Sequence, residues 1–229
     1  MKIPFHTREP WLNIFVYRYF TVPLAKALFR IQVSPNRITF LSLIFGLTAA
    51  VLFSIGYVHF AVAMFLTSYI LDAVDGKIAR MTGNYSKYGA WFDIFVDRIV
   101  FYTCILGLIV NANDKETSVF LFSIVCLFSL GFESRFNIQV AEFAEFQKND
   151  DINGMKLWHP LKENFSDDGS WWSQWTLKRG LLKNPVSLVE TQHSLIIVAP
   201  LLDKVEEIAI AVLFLLLARL LVQQRFWFA

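Results

Sequence analysis

The chain has 229 residues and a formal net charge of +2, with 55% hydrophobic and 17% charged residues and 23 Phe beside 7 Trp and 7 Tyr. Soluble domains carry about 25% charge and about 45–50% apolar residues. A soluble α/β enzyme, a disordered chain and a disulfide scaffold are therefore set aside, and the near-neutral balance gives no hint of a nucleic-acid partner. From Ile38 to Leu71 there are 34 residues without Lys, Arg, Asp or Glu, whereas one bilayer crossing needs about 20. The expectation is an all-α integral membrane protein in which this block supplies two helices joined by a turn.

In chain order, the opening MKIPFHTREPWLNIF lacks the basic, apolar, small-residue order of a secretory signal and is expected to stay in the mature chain. From Pro10 to Ile31, Arg18, Lys26 and Arg30 alternate with Trp11, Phe15, Tyr19, Leu24 and Leu28. This is too charged to span, and an amphipathic helix lying in the membrane interface is predicted. Ser34-Pro35 ends it and Asn36 opens the first crossing. Six transmembrane helices are predicted: Arg37 to Ile55, His59 to Arg80, Tyr88 to Val110, Glu116 to Phe136, Val186 to Leu202 and Val205 to Gln223. Glu190 and His193 interrupt the fifth, and Arg219 the sixth. The stretch from Glu142 to Asn184, with Trp171, Trp172 and Trp175, is polar and reads as a cytosolic loop insertion in a single domain covering residues 1–229.

Cytosolic flanks collect Lys and Arg. With the N-terminus inside, 19 of the 21 basic residues fall on the cytosolic side, and only Lys115 and Lys204 lie outside. The N-terminus is therefore expected in the cytosol. Cys104 and Cys126 each sit in an apolar run, without CxxC or Cys/His spacing, and are expected to be small buried hydrophobes.

Four aspartates stand where a membrane helix avoids them. Asp72 and Asp75 are three apart near the end of the second crossing, and Asp93 and Asp97 four apart near the start of the third. Spacings of three and four put each pair on one helical face, and the short loop between the helices predicts antiparallel neighbours whose faces meet at one depth. Four carboxylates converging there repel unless something positive sits among them. A divalent cation pair is the natural answer, because hard oxygen ligands suit Mg²⁺, Mn²⁺ or Ca²⁺ and paired metals serve displacement at phosphorus. Gly76, Ala79 and Gly89 are small residues that allow close approach, and Arg80 is a candidate phosphate partner. The bland alternative is that the aspartates pair with Lys77, Arg80 and Arg98 as helix-end ion pairs.

The run DAVDGKIARMTGNYSKYGAWFDIFVD resembles the signature of the CDP-alcohol phosphotransferase family, Asp-x2-Asp-Gly-x2-Ala-Arg-x8-Gly-x3-Asp-x3-Asp, also called the class I CDP-alcohol phosphatidyltransferases. Every fixed position is met, by Asp72, Asp75, Gly76, Ala79, Arg80, Gly89, Asp93 and Asp97. The resemblance implies a CDP-linked alcohol, often CDP-diacylglycerol, that gives its phosphoryl-alcohol part to the hydroxyl of an acceptor alcohol and releases CMP. It implies a two-metal site of Mg²⁺ or Mn²⁺ held by Asp72, Asp75, Asp93 and Asp97, with Asp97 also the catalytic base. It places Gly76, Ala79, Arg80, Gly89, Asn36 and Thr39 at the CDP, although Ser34-Pro35-Asn36 is equally a plain helix start. It also implies a homodimer in a lipid membrane; which membrane is left open.

For the acceptor, the candidates are Lys87, Arg135, Lys178, Arg179 and His193. Each of these cations is otherwise a solvated or headgroup-facing charge, and His193 is otherwise a helix-packing residue. Trp171, Trp172 and Trp175 read as an interfacial anchor or a stacking surface for the acceptor. The rival from another class is a carboxylate-lined divalent cation transporter. Against it, the third crossing beyond Asp97 runs FYTCILGLIV at 101–110, which gives a blind pocket rather than a pathway.

Overall fold

The computed structural model describes residues 10–82, 87–127, 129, 170–181 and 188–225. Every regular element among them is helical. A π-helical turn, Asn13–Tyr17, leads into α1 (Arg18–Arg30), followed by α2 (Pro35–Ser54), α3 (Val58–Thr82) and α4 (Lys87–Asn111). Helix α5 covers 115–127. Then come α6 (Trp171–Arg179), α7 (Leu188–His193), which continues through a second π-helical turn at Ser194–Val198 into Ala199–Leu201, and α8 (Val205–Arg225). Among the described residues, Pro35–Ser54 and Val58–Ala79 are long and apolar enough to cross a bilayer.

The helix ends follow from local chemistry. Pro35 takes the first position of α2 with Ser34 extended before it, where the missing proline N–H is no loss. Asp114 accepts the Thr117 backbone N–H at 3.2 Å and the Thr117 hydroxyl at 2.6 Å, capping α5. These two donors hold its carboxyl below the usual carboxylate range. The four residues with left-handed φ among the described residues, Gln32, Gly56, Gly180 and Asp203, all terminate helices. After Gly56, Tyr57 N–H reaches back to Leu52 O at 2.9 Å; Val33 reaches Leu28 O, Leu181 reaches Thr176 O and Lys204 reaches Ala199 O in the same way. That backward bond satisfies a carbonyl which the helix end would orphan.

Helix α2 packs along both α3 and α4. The two aspartate-bearing helices thus share α2 as a neighbour. Two glycines set the α2–α4 approach: a Cβ at Gly107 would collide with the Ala50 carbonyl, and one at Gly46 with the Val100 methyls. Around this contact Ala49, Phe53, Phe65, Cys104, Phe122, Ile196 and Leu216 form one core. A smaller cluster of Ala25, Ile38, Leu71, Val74 and Ile78 seats α1 on α2 and α3. Cys104 and Cys126 are free, with Cys104 fully buried.

The polar insertion departs from its expected loop character at Trp171–Arg179, which is helical. Aromatic packing explains this. Trp172 and Trp175 stack with ring centroids 5.5 Å apart, and Trp11 from the N-terminal segment lies 5.8 and 5.6 Å from them. Thr176 and Leu181 are buried beneath. Residues 142–169 and 182–184 of the expected insertion, together with Arg135, lie outside the described residues.

Candidate active site

Tyr69, Asp72 and Gly76 are spaced i, i+3 and i+7 on α3, and so share a face. Asp72, Asp75 and Asp93 bring one carboxylate oxygen each to within 4.8 Å of one another, so α3 and α4 meet here through side chains. Asp75 is buried, and Asp72 and Asp93 are half-buried. Asp97, one turn after Asp93, is exposed and within hydrogen-bonding reach of Asp72. Two carboxylates at that range cannot both be charged without a positive partner.

Asp72 Oδ1 is shielded from solvent with no hydrogen-bond partner among the described residues. A buried lone pair without a donor is costly. Oxygen-only donors suit a hard divalent cation, and the aspartates fit one.

Helix α2 supports this cradle from behind. The Thr39 hydroxyl donates to Asp75 Oδ2 across 36 residues of sequence, and its other close acceptor, Pro35 O, is farther away at 3.2 Å. One turn along, the buried Ser68 hydroxyl donates to Ser42 O at 2.7 Å. Helices α2 and α3 are thereby stitched by polar contacts directly beside the aspartates. Of the residues expected at the nucleotide, Thr39 is buried against Asp75, and Asn36 is exposed at the start of α2. Gly76, Ala79 and Gly89 are half-buried. Arg80 lies in α3 and Lys87 opens α4.

The residues expected to hold the acceptor differ in exposure. Lys178 and Arg179 are exposed on α6, and the Arg179 guanidinium sits 4.3 Å from the Trp175 ring centroid. His193 is buried among Tyr17, Phe65 and Tyr69, its ring edge-on to Tyr69 at 4.4 Å. Its Nδ1–H donates to Val189 O at 2.7 Å, which fixes the tautomer, and its Nε2 is buried without a partner among the described residues. Burial pushes the Tyr17 phenol up to about 12, so it stays neutral.

An all-helical chain with an aspartate cradle shared by two helices defines a class, which comparison with known proteins identifies. The family model described as CDP-alcohol phosphatidyltransferase matches residues 32–157, more than half of the chain. The chain belongs to the CDP-alcohol phosphatidyltransferase family. It is 32% identical over 111 residues to a phosphatidylinositol phosphate synthase of Corynebacterium glutamicum, an alignment covering 46% of this chain and 50% of that protein. It is 29% identical over 98 residues to an archaetidylinositol phosphate synthase of Pyrococcus horikoshii, covering 43% and 52%. The chain thus spans about half the length of the curated relatives it matches. Its fold resembles the crystal structure of Mycobacterium tuberculosis phosphatidylinositol phosphate synthase with CDP-DAG bound, at TM-score 0.57 and 17% identity over 90% of this chain and 94% of that one. The same enzyme in complex with manganese and citrate matches equally, at TM-score 0.57.

Proposed function

We propose that the protein is a membrane-embedded CDP-alcohol phosphotransferase. It moves a phosphoryl-alcohol group from a CDP-alcohol, such as CDP-diacylglycerol, to the hydroxyl of an acceptor alcohol and releases CMP. The observation that carries this reading is the gathering of Asp72, Asp75 and Asp93, in the family's spacing, beside Asp97. The bound CDP-DAG and manganese of the similar structures support the donor class and the cation.

Asp72, Asp75, Asp93 and Asp97 would hold Mg²⁺ or Mn²⁺, which when bound supplies positive charge to the diphosphate oxygens and the departing CMP. Asp97 is the exposed member of the set, placed to meet an incoming hydroxyl. It takes the proton from that hydroxyl as the oxygen bonds to the β-phosphorus and the bond to CMP breaks. Gly76, Ala79 and Gly89 leave room for the nucleotide against the backbone, and Arg80 and Asn36 contact its polar groups. Thr39 acts on the same site by fixing the Asp75 carboxylate. Lys87, Arg135, Lys178 and Arg179 supply positive charge for an anionic acceptor.

The membrane reading rests on α2 and α3 and on large apolar side chains left outward. Phe40, Ile44, Leu47 and Val51 run along one face of α2, and Ile210, Phe214 and Leu217 along α8, all exposed. With the basic-residue asymmetry they support the reading of six crossings, an interfacial N-terminal helix and a cytosolic N-terminus and site, in one domain over residues 1–229; the homodimer is carried by the family resemblance alone.

Release of CMP from radiolabelled CDP-diacylglycerol and other CDP-alcohols, with a panel of hydroxyl acceptors, tests the reading. Cation-dependent turnover is expected. Pure, folded protein that stays inactive with both Mg²⁺ and Mn²⁺ overturns it.

A further inference from the structure

Behind the aspartates stands a polar unit assembled from three separate parts of the chain. Tyr69 lies one turn before Asp72 on the same face of α3, and the charges of Asp72 and Asp97 lie near enough to act on its phenol. Its hydroxyl points elsewhere: it donates to Asn13 Oδ1 at 2.5 Å. The ring is clamped by Tyr17 at 4.7 Å and by His193 at 4.4 Å.

Both segments that reach Tyr69 from outside α3 carry a π-helical turn at or beside the contact, Asn13–Tyr17 and Ser194–Val198. Such turns are rare and cluster at functional sites. Here the first one brings Asn13 and Tyr17 together onto the same tyrosine. A further contact ties the two segments to each other, since the Leu12 backbone N–H donates to Glu190 Oε1 at 3.2 Å.

A phenol has a single proton to donate. Were it given to Asp72 or Asp97, it would occupy a lone pair that a cation needs, through a charge-assisted bond stronger than the one to an amide. We propose that Asn13 is a positioning residue for the cation site: by accepting the Tyr69 O–H it keeps that donor off Asp72 and Asp97, leaving their oxygens to the cation. The N-terminal segment is thereby part of the site, although it contributes no ligand. This inference rests on the reading of the aspartates as a cation site.

The test is direct Mn²⁺ binding to the purified full chain in nanodiscs, with free Mn²⁺ measured by electron paramagnetic resonance. Asn13→Leu, which removes the acceptor and keeps the volume, is expected to weaken binding roughly tenfold, or about 1.4 kcal/mol. Tyr69→Phe is expected to bind as well as the wild type or better. The double variant is expected to match Tyr69→Phe, because with no hydroxyl left there is nothing for Asn13 to restrain. Asn13→Ala serves in place of Asn13→Leu if the latter fails to fold. An Asn13 variant that binds like the wild type overturns the proposal. So does a double variant as weak as the Asn13 single, which would mean that Asn13 only seats the helix, and so does a loss of binding in Tyr69→Phe alone. Wild-type protein that binds no Mn²⁺ overturns the cation reading itself, and this inference with it.

Discussion

Helix α4 meets its two neighbours in opposite ways. Against α2 it presents Gly107 and Val100, and the backbones close until no Cβ fits at Gly107 or Gly46. Toward α3 it presents Asp93, which meets Asp72 and Asp75 of that helix through carboxylates. The contact with α2 is dry and fixed by shape. That with α3 is polar, and its like charges repel one another. The close α2–α4 contact supplies the rigidity on which the open side depends, and Thr39 carries that rigidity to Asp75. A site of like charges is best built on elements locked elsewhere.

Substitutions at four positions probe this contrast. The largest effect is expected from Asp93→Asn, which should lower CMP release by on the order of 10²–10³-fold and leave the melting temperature unchanged or raised, since one repelling charge is gone. Unchanged turnover would remove α4 from the chemistry. Thr39→Val should lower Mn²⁺ affinity or activity by about 10–100-fold, and Thr39→Ser should restore it; equal loss in both would show that the hydroxyl is not what matters. Gly107→Val acts on the closed side, where overpacking costs about 1–3 kcal/mol. Thermal unfolding in detergent should show the drop, and an unaffected melting temperature would mean that the α2–α4 approach is not tight. The smallest effect is expected far from both contacts, at Asp114→Ala. Its carboxyl titrates below its ordinary value in the folded chain, so the cap stabilises above about pH 4 and is lost as the pH falls through the folded value. The difference in melting temperature from the wild type should be small at pH 7 and vanish in acid.

Much of this was legible in the sequence. Ser34-Pro35 marks the start of α2, and the uncharged block from Ile38 to Leu71 resolves, as its length predicts, into two helices joined by a turn. The spacings of three and four between Asp72 and Asp75 and between Asp93 and Asp97 predicted the gathering of carboxylates on two helices. What periodicity does not carry is contact across helices. Thr39 read as a nucleotide contact, and its bond to Asp75 has no local signature. Asn13 and Tyr69 were missed for a related reason: a π-helical turn shifts the register that a 3.6-residue pattern assumes, so nothing in the sequence aligns Asn13 with α3. Tyr69, three residues before Asp72, was the one available hint. The helical character of Trp171–Arg179 was hidden because its stacking partner, Trp11, lies near the other end of the chain.

That aromatic stack makes the docking of α6 on the N-terminal segment visible to light. Trp11, Trp172 and Trp175 lie within 5.8 Å of one another, centroid to centroid, close enough for their indole transitions to couple into a signed pair of bands in circular dichroism. Replacing Trp11 by Phe, or lifting α6 away, removes the two pairings that involve Trp11 and leaves that of Trp172 with Trp175, so the bands change in shape and amplitude. Two stretches separated by 160 residues thus share one chromophore, and its spectrum reports whether they are together while the enzyme works.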